Sequence, residues 1–137
     1  MVPEIEQSLR VLLAAVLGAA VGWQREHVGR AAGIRTFAAV SFGACAFGLI
    51  DGADQRISAQ VVTGIGFLGA GIIMKEQGHV TGLTTAAALW AVSAVGLMVS
   101  RGRFLLATVM AALMLGLLAL PMKHWEHINP HDPGAKL

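Results

Sequence analysis

GIGFLGAG, residues 64–71, spells G-x-G-x-x-G through Gly64, Gly66 and Gly69, and its reading decides the fold. As a dinucleotide-binding turn it needs a strand before it, a helix opening at it and an acidic residue about 20 positions later to hold a ribose. That later stretch is Leu83-Thr84-Thr85-Ala86-Ala87-Ala88-Leu89-Trp90, which holds no acid. The glycines also lie inside an apolar run from Ile57 to Met74, interrupted only by Ser58, Gln60 and Thr63. A phosphate loop must be wet, and this segment is not. The stretch therefore reads as a helix that uses its glycines for packing, and no nucleotide is expected.

The surroundings agree. Of 137 residues, 55% are hydrophobic and 13% charged, against about 25% charged in soluble domains; mean hydropathy is +0.67. Five apolar segments follow one another: about Leu9 to Trp23, Thr36 to Ile50, Ile57 to Met74, Leu83 to Ser100 and Phe104 to Met122. Each approaches the roughly 17–25 residues of a spanning helix, the first two being short, which suits tilted helices extending into polar flanks. The acids and the Lys/Arg residues lie at or beyond the segment ends, with Arg10 at the lip of the first. A soluble bundle would carry charged stripes along its helices. The expected fold is thus an all-α polytopic membrane protein, a compact bundle of about five transmembrane helices with glycine/alanine-rich packing faces over 1–122, followed by a polar tail over 123–137.

The acidic start, Met1-Val2-Pro3-Glu4, lacks the positive charge of a secretory signal, so the first segment is expected to stay. With the N-terminus outside, the inner side holds Arg25, Arg30, Arg35, Lys75, Lys123 and Lys136, and the outer side Arg10, Arg56, Arg101 and Arg103. The basic excess favours an outside N-terminus and a cytoplasmic C-terminus. The net charge of +2 is too small and scattered to suggest nucleic acid. A single cysteine, Cys45, excludes an internal disulfide.

On a helical wheel of the third segment, Val61, Ile65, Leu68 and Ile72 form a bulky arc suited to lipid, while Gln60, Gly64 and Gly71, with Phe67 beside them, form another face. Thr63, Gly66 and Ala70 form a third, with Gly69 further round. Small residues let helix backbones approach in lipid, so this segment is expected to be a central helix packed through Gly64, Gly66, Gly69 and Gly71. Gly18 and Gly22 (in Ala14-x3-Gly18-x3-Gly22), Ala39-x3-Gly43, Ala44-x3-Gly48 and Ala87-x3-Ala91 with Ala94 are matching small-residue patterns.

No titratable side chain stands mid-segment, which argues against a pump, a proton-coupled carrier or an intramembrane protease; no enzyme activity is expected. Polar chemistry gathers at the helix mouths: Arg25, Glu26 and Arg35 at one end, Asp54 and Arg56 at the other. They read either as a network meeting lipid phosphate or a partner or as ordinary solvated loops. Asp51 and Asp54 could hold Mg²⁺ through water or simply cap a turn; no other cofactor is expected. Gln60, Thr63, Thr84, Thr85 and Trp90 are the polar groups expected to face the bundle interior. Trp23 and Trp125 read as interface anchors. His124, His127 and His131 could share a helical face, which Pro130 interrupts.

GWQRE (22–26), AGIRT (32–36), RISAQVVTGIGFLGAGIIM (56–74) and GLTTAAALWAVSAVG (82–96) together resemble the MgtC/SapB family, in order and over about Leu9 to Leu120. The resemblance implies a small bacterial inner-membrane protein with a role in growth at low magnesium and, in pathogens, in virulence. It implies modulation of a membrane partner such as an ATPase rather than established transport. By motif it singles out Arg25, Glu26, Arg35, Arg56, Gln60, Gly64, Gly69, Thr84, Thr85 and Trp90. Many members carry a soluble domain after the last span; about 15 residues follow here, so ligand sensing by such a domain is expected to be absent. Some virulence-associated members have Asn where this chain has Thr84. The leading expectation is an interaction protein, as a homodimer in the lipid bilayer; the rival is a conduit for an ion or small molecule past Glu26, Asp51, Asp54, Gln60 and Thr85.

Overall fold

Among the described residues, the computed structural model holds five helices: α1 (Glu4–His27), α2 (Ile34–Ile50), α3 (Arg56–Ile72), α4 (Leu83–Ser100) and α5 (Phe104–Ala119). The structure describes residues 3–121 except 52, 54, 77 and 78, with the backbone alone for Glu76 and His79. Asp54, Trp125, the three late histidines and the tail over 123–137 lie outside the described residues. Among those described, α1 and α4 are long and apolar enough to cross a membrane; α2, α3 and α5 are shorter apolar helices.

Helix boundaries follow the charges. α1 extends beyond its apolar segment at both ends, with Glu4 and Glu6 in its first turn and Arg25 and His27 in its last, each sign favourable to the helix dipole there. The α4–α5 turn closes through Gly102 N–H to the Val99 carbonyl and Arg103 N–H to the Met98 carbonyl. Gly102 takes a left-handed φ of 70°, which an L side chain resists. A short antiparallel hairpin, β1 (Met74–Glu76) with β2 (His79–Thr81), pairs Met74 with Thr81 and links α3 to α4. These two strands are an addition to the all-helical expectation: three residues each are too few to leave a period-two signal in an apolar run. Gly82 then opens α4 at φ 85° against the Ile72 carbonyl.

The central helix is α4, not α3. It packs against all four others, and Leu89, Val92, Val95 and Val99 are essentially inaccessible. With Phe37, Cys45, Ala14, Val21 and Ala107 they form one continuous apolar core. α3 buries only Ile65 and Gly69. Gly69 lies against Ala86 of α4, while a Cβ at Gly64, Gly66 or Gly71 would meet nothing within 4 Å. The bulky arc assigned to lipid, with Ile65 on it, is therefore the one turned to the bundle, and the glycine face of α3 is turned outward. Small side chains permit close approach but do not dictate it; here α3 approaches α4 through Gly69 at Ala86, with Ile65 buried on the same side.

The tight glycine contacts lie elsewhere. Gly18 and Gly22 of α1 abut α2 at Phe37–Ser41 and Gly33–Ile34, and Gly96 of α4 abuts the Ser41 carbonyl. α2 and α3 touch little, which leaves an open apolar groove of about 480 Å³ between them, lined by Gly43, Phe47, Gln60, Gly64 and Leu68 among others and floored by Ser93.

Candidate functional site

Odd-numbered helices run one way and even-numbered ones the other, so the polar residues collect at two ends. At the end where α1 finishes and α4 begins, Arg25 is buried, 4% exposed. Its Nη2 donates to Thr85 Oγ1 at 2.8 Å, joining α1 to the first turn of α4. Next to it, Gln24 Nε2 donates to the Leu118 carbonyl of α5 at 2.9 Å. Glu26 Oε2 accepts from the Ile34 N–H at 3.0 Å, so its negative charge rests on the α2 N-terminus. The expected grouping of Arg25, Glu26 and Arg35 is thus divided: Arg25 goes inward to Thr85, Glu26 caps α2, and Arg35 is exposed in the first turn of α2.

At the opposite end, Asp51 is the organising group. Its Oδ1 accepts from Ile57 N–H at 3.0 Å and its Oδ2 from Ser58 N–H at 2.9 Å, which satisfies two orphan donors at the start of α3. Arg101 adds an ion pair at 3.2 Å and also donates to Ser58 Oγ. With its side chain 1% exposed, Asp51 is engaged in holding α3 to the α4–α5 turn. Hydrogen bonding from Ser58, then from the Ile57 amide, and the Arg101 charge hold its carboxyl below the usual carboxylate range, against the effect of desolvation. Among the described residues no group of three or more His, Cys, Asp or Glu side chains stands together. Arg56 is exposed.

A second junction at this end was not anticipated. Arg10 Nη1 donates to the Ser100 carbonyl and Nη2 to Glu6 Oε1, both at 2.6 Å, and its guanidinium lies 5.5 Å from the Phe104 ring centroid. One arginine thereby ties α1 to both α4 and α5. The signal available was its position alone: a cation just inside an apolar segment needs partners.

Of the polar residues expected to face inward, Thr85 does, at 3% exposed. Gln60, Thr63, Thr84 and Trp90 are exposed on the surface of the chain. The other buried hydroxyls among the described residues are Ser41, Ser93 and Ser100, with Ser93 and Ser100 donating to carbonyls one turn back. Thr84 and Trp90 could not be placed from the sequence because α4 is apolar all round and carries no face that marks its own interior.

A family model described as the MgtC family matches residues 11–125. Protein MgtC of Salmonella typhimurium (strain LT2) is 46% identical over 101 residues, covering 70% of this chain and 44% of that protein. Protein MgtC of Brucella abortus (strain 2308) is 42% identical over 113 residues, covering 78% and 48%. An uncharacterised protein of Synechocystis sp. is 38% identical over 134 residues, covering 93% and 57%. The chain spans about half the length of the curated relatives it matches. No solved structure matches it significantly.

Proposed function

The chain belongs to the MgtC family, and on that premise we propose that it is a multi-pass protein of the bacterial inner membrane that supports magnesium homeostasis by modulating a membrane partner such as an ATPase, and that it acts as a homodimer. The observation that carries the partner reading is the outer face of α3. Among the described residues, a Cβ built on Gly64, Gly66 or Gly71 would meet nothing within 4 Å, and Phe67 beside them is 83% exposed. A thin helix face with one large aromatic is the kind of surface on which a second helix packs in lipid. The membrane reading is supported by the outer surfaces of α1 and α5, where Leu9, Leu12, Val16, Leu105, Leu113 and Leu117 are all exposed, an apolar extent that a monomeric soluble protein avoids.

The test uses inverted membrane vesicles in which the chain is present or absent. ATP-driven proton pumping should fall when the parent is present and recover with Gly64→Leu, which blocks the α3 face without touching the core. Pumping insensitive to the parent would end the ATPase reading. The same protein in liposomes with a magnesium-sensitive dye should give no flux; flux would favour a conduit.

A further inference from the structure

Arg25 carries a positive charge into the bundle with no counter-charge paired to it among the described residues. It is 4% exposed, its Nε is buried without an acceptor, and among the described residues no carboxylate forms an ion pair with it. The neighbouring charge that acts on it is Arg30, of the same sign. Glu26, one residue on, is turned to the α2 N-terminus instead. A buried cation left this way is costly unless something pairs with it.

Three features converge at this place. Arg25 reaches Thr85 Oγ1, in the first turn of α4. That helix has 18 residues and opens at Gly82, which brings no side-chain oxygen of its own, so the positive end of its dipole lies at the junction. Thr85, accepting from Arg25, keeps its own O–H proton to donate. A guanidinium, a hydroxyl donor and a helix N-terminus form a receptor for a tetrahedral oxyanion.

We propose that the Arg25–Thr85 junction at the start of α4 binds a phosphate group. The surroundings favour the phosphodiester of an anionic phospholipid: Trp23, half-exposed and with its ring centroid 4.2 Å from that of His27, lies in the last turns of α1 on the exposed side, as an interface ring would, and Arg30 and Arg35 are exposed in the chain that follows. The lipid source rests on the membrane reading above; the phosphate chemistry does not. Carbonate extraction of the parent from membranes tests that reading by itself.

The experiment titrates the full chain, in an uncharged detergent, with short-chain phosphatidylglycerol, with diacylglycerol of the same chain length, and with inorganic phosphate, reading the melting temperature. Phosphatidylglycerol should raise it saturably and diacylglycerol should not. Arg25→Gln should weaken the apparent affinity by roughly tenfold, one charge-assisted bond's worth, and Thr85→Val by several-fold. Arg103→Gln, at the other end, should behave as the parent. A response to inorganic phosphate with the same dependence on Arg25 and Thr85 would support the site with free phosphate as its source. Should Arg25→Gln fail to fold, Thr85→Val, which keeps the side-chain volume, decides alone. An affinity for both phosphate probes indifferent to Thr85→Val, or no response to either probe, would overturn the proposal.

Discussion

Gly18 of α1 lies so close to α2 that a Cβ built on it would stand 2.5 Å from the Phe37 carbonyl oxygen and 2.6 Å from Ser41 Cβ. On the opposite side of Ser41, Gly96 of α4 meets the carbonyl of that same residue. Three helix backbones thus close on one serine, and each glycine is required by its neighbour's backbone, which cannot move as a side-chain tip can. Gly18→Ala or Gly96→Ala should each cost about 1–3 kcal/mol by overpacking. Gly64→Ala, with open space around it, should cost far less. Melting temperatures in one detergent rank the three; a Gly64→Ala loss as large as that of Gly18→Ala would mean that α3 packs on something through that face.

Glu26 accepts from the Ile34 N–H and so does for α2 what a capping side chain does in ordinary helices. Glu26→Ala should cost about 1 kcal/mol, and Glu26→Gln, which keeps an acceptor oxygen, should cost less. Amide hydrogen exchange in the first turn of α2 would show the difference locally: faster exchange at Ile34 in the alanine variant, near-parent exchange in the glutamine variant.

How far the sequence could be read depended on where the signal was one-dimensional. Helix starts at Leu83 and Phe104 are visible because polar residues or glycine interrupt apolar runs there. The identity of the central helix is not visible. α4 and α5 are both apolar all round, yet α4 is buried by four neighbours whereas α5 exposes Leu105, Leu113 and Leu117. Periodicity separates core from surroundings only where the surroundings are polar; in lipid the two are alike. For the same reason Ile65 and Gly64 exchanged their expected roles. At the site, Thr85 was legible as a hydroxyl in an apolar run. The Arg25–Thr85 bond was not, because it joins residues 60 positions apart.

The depressed Asp51 carboxyl gives a pH dependence with a definite sign. Its folded pKa lies below that of an ordinary aspartate carboxyl. The folded form therefore binds fewer protons than the unfolded one over that interval, and the stability contributed by Asp51 is present above the unfolded value and lost as pH falls through the folded one. The parent should lose melting temperature on acidification below about pH 4 more steeply than Asp51→Asn, whose curve lacks this group. Parallel acid limbs would mean that the ionised carboxylate does not hold α3 to Arg101.

Alternation of the five helices places Arg25, Arg30, Arg35 and Lys75 at one end and Arg10, Arg56, Arg101 and Arg103 at the other. If the first group is cytoplasmic, a reporter fused after Lys136 should be active only as a cytoplasmic fusion, and a cysteine at Ala31 should react from the cytoplasmic side. A cysteine at Ala31 labelled from outside would invert the bundle.

Ile65 and Phe67 make the sharpest test of how α3 is turned. They are two residues apart, so they point to different sides of the helix: Ile65 is 7% exposed against the bundle and Phe67 83% exposed away from it. In water, truncating either would forfeit hydrophobic transfer energy. In lipid that term largely vanishes, because acyl chains are as apolar as the core, and only lost packing remains. Ile65→Ala should therefore cost on the order of 1–2 kcal/mol, below the 2–5 seen in aqueous cores, while Phe67→Ala should leave the melting temperature of the monomeric chain in detergent nearly unchanged. If Phe67 instead packs on a partner in the membrane, its truncation should relieve the inhibition of ATP-driven pumping without that thermal loss. A thermal cost for Phe67→Ala larger than that for Ile65→Ala would reverse the orientation of α3 and with it the assignment of its glycine face to a partner.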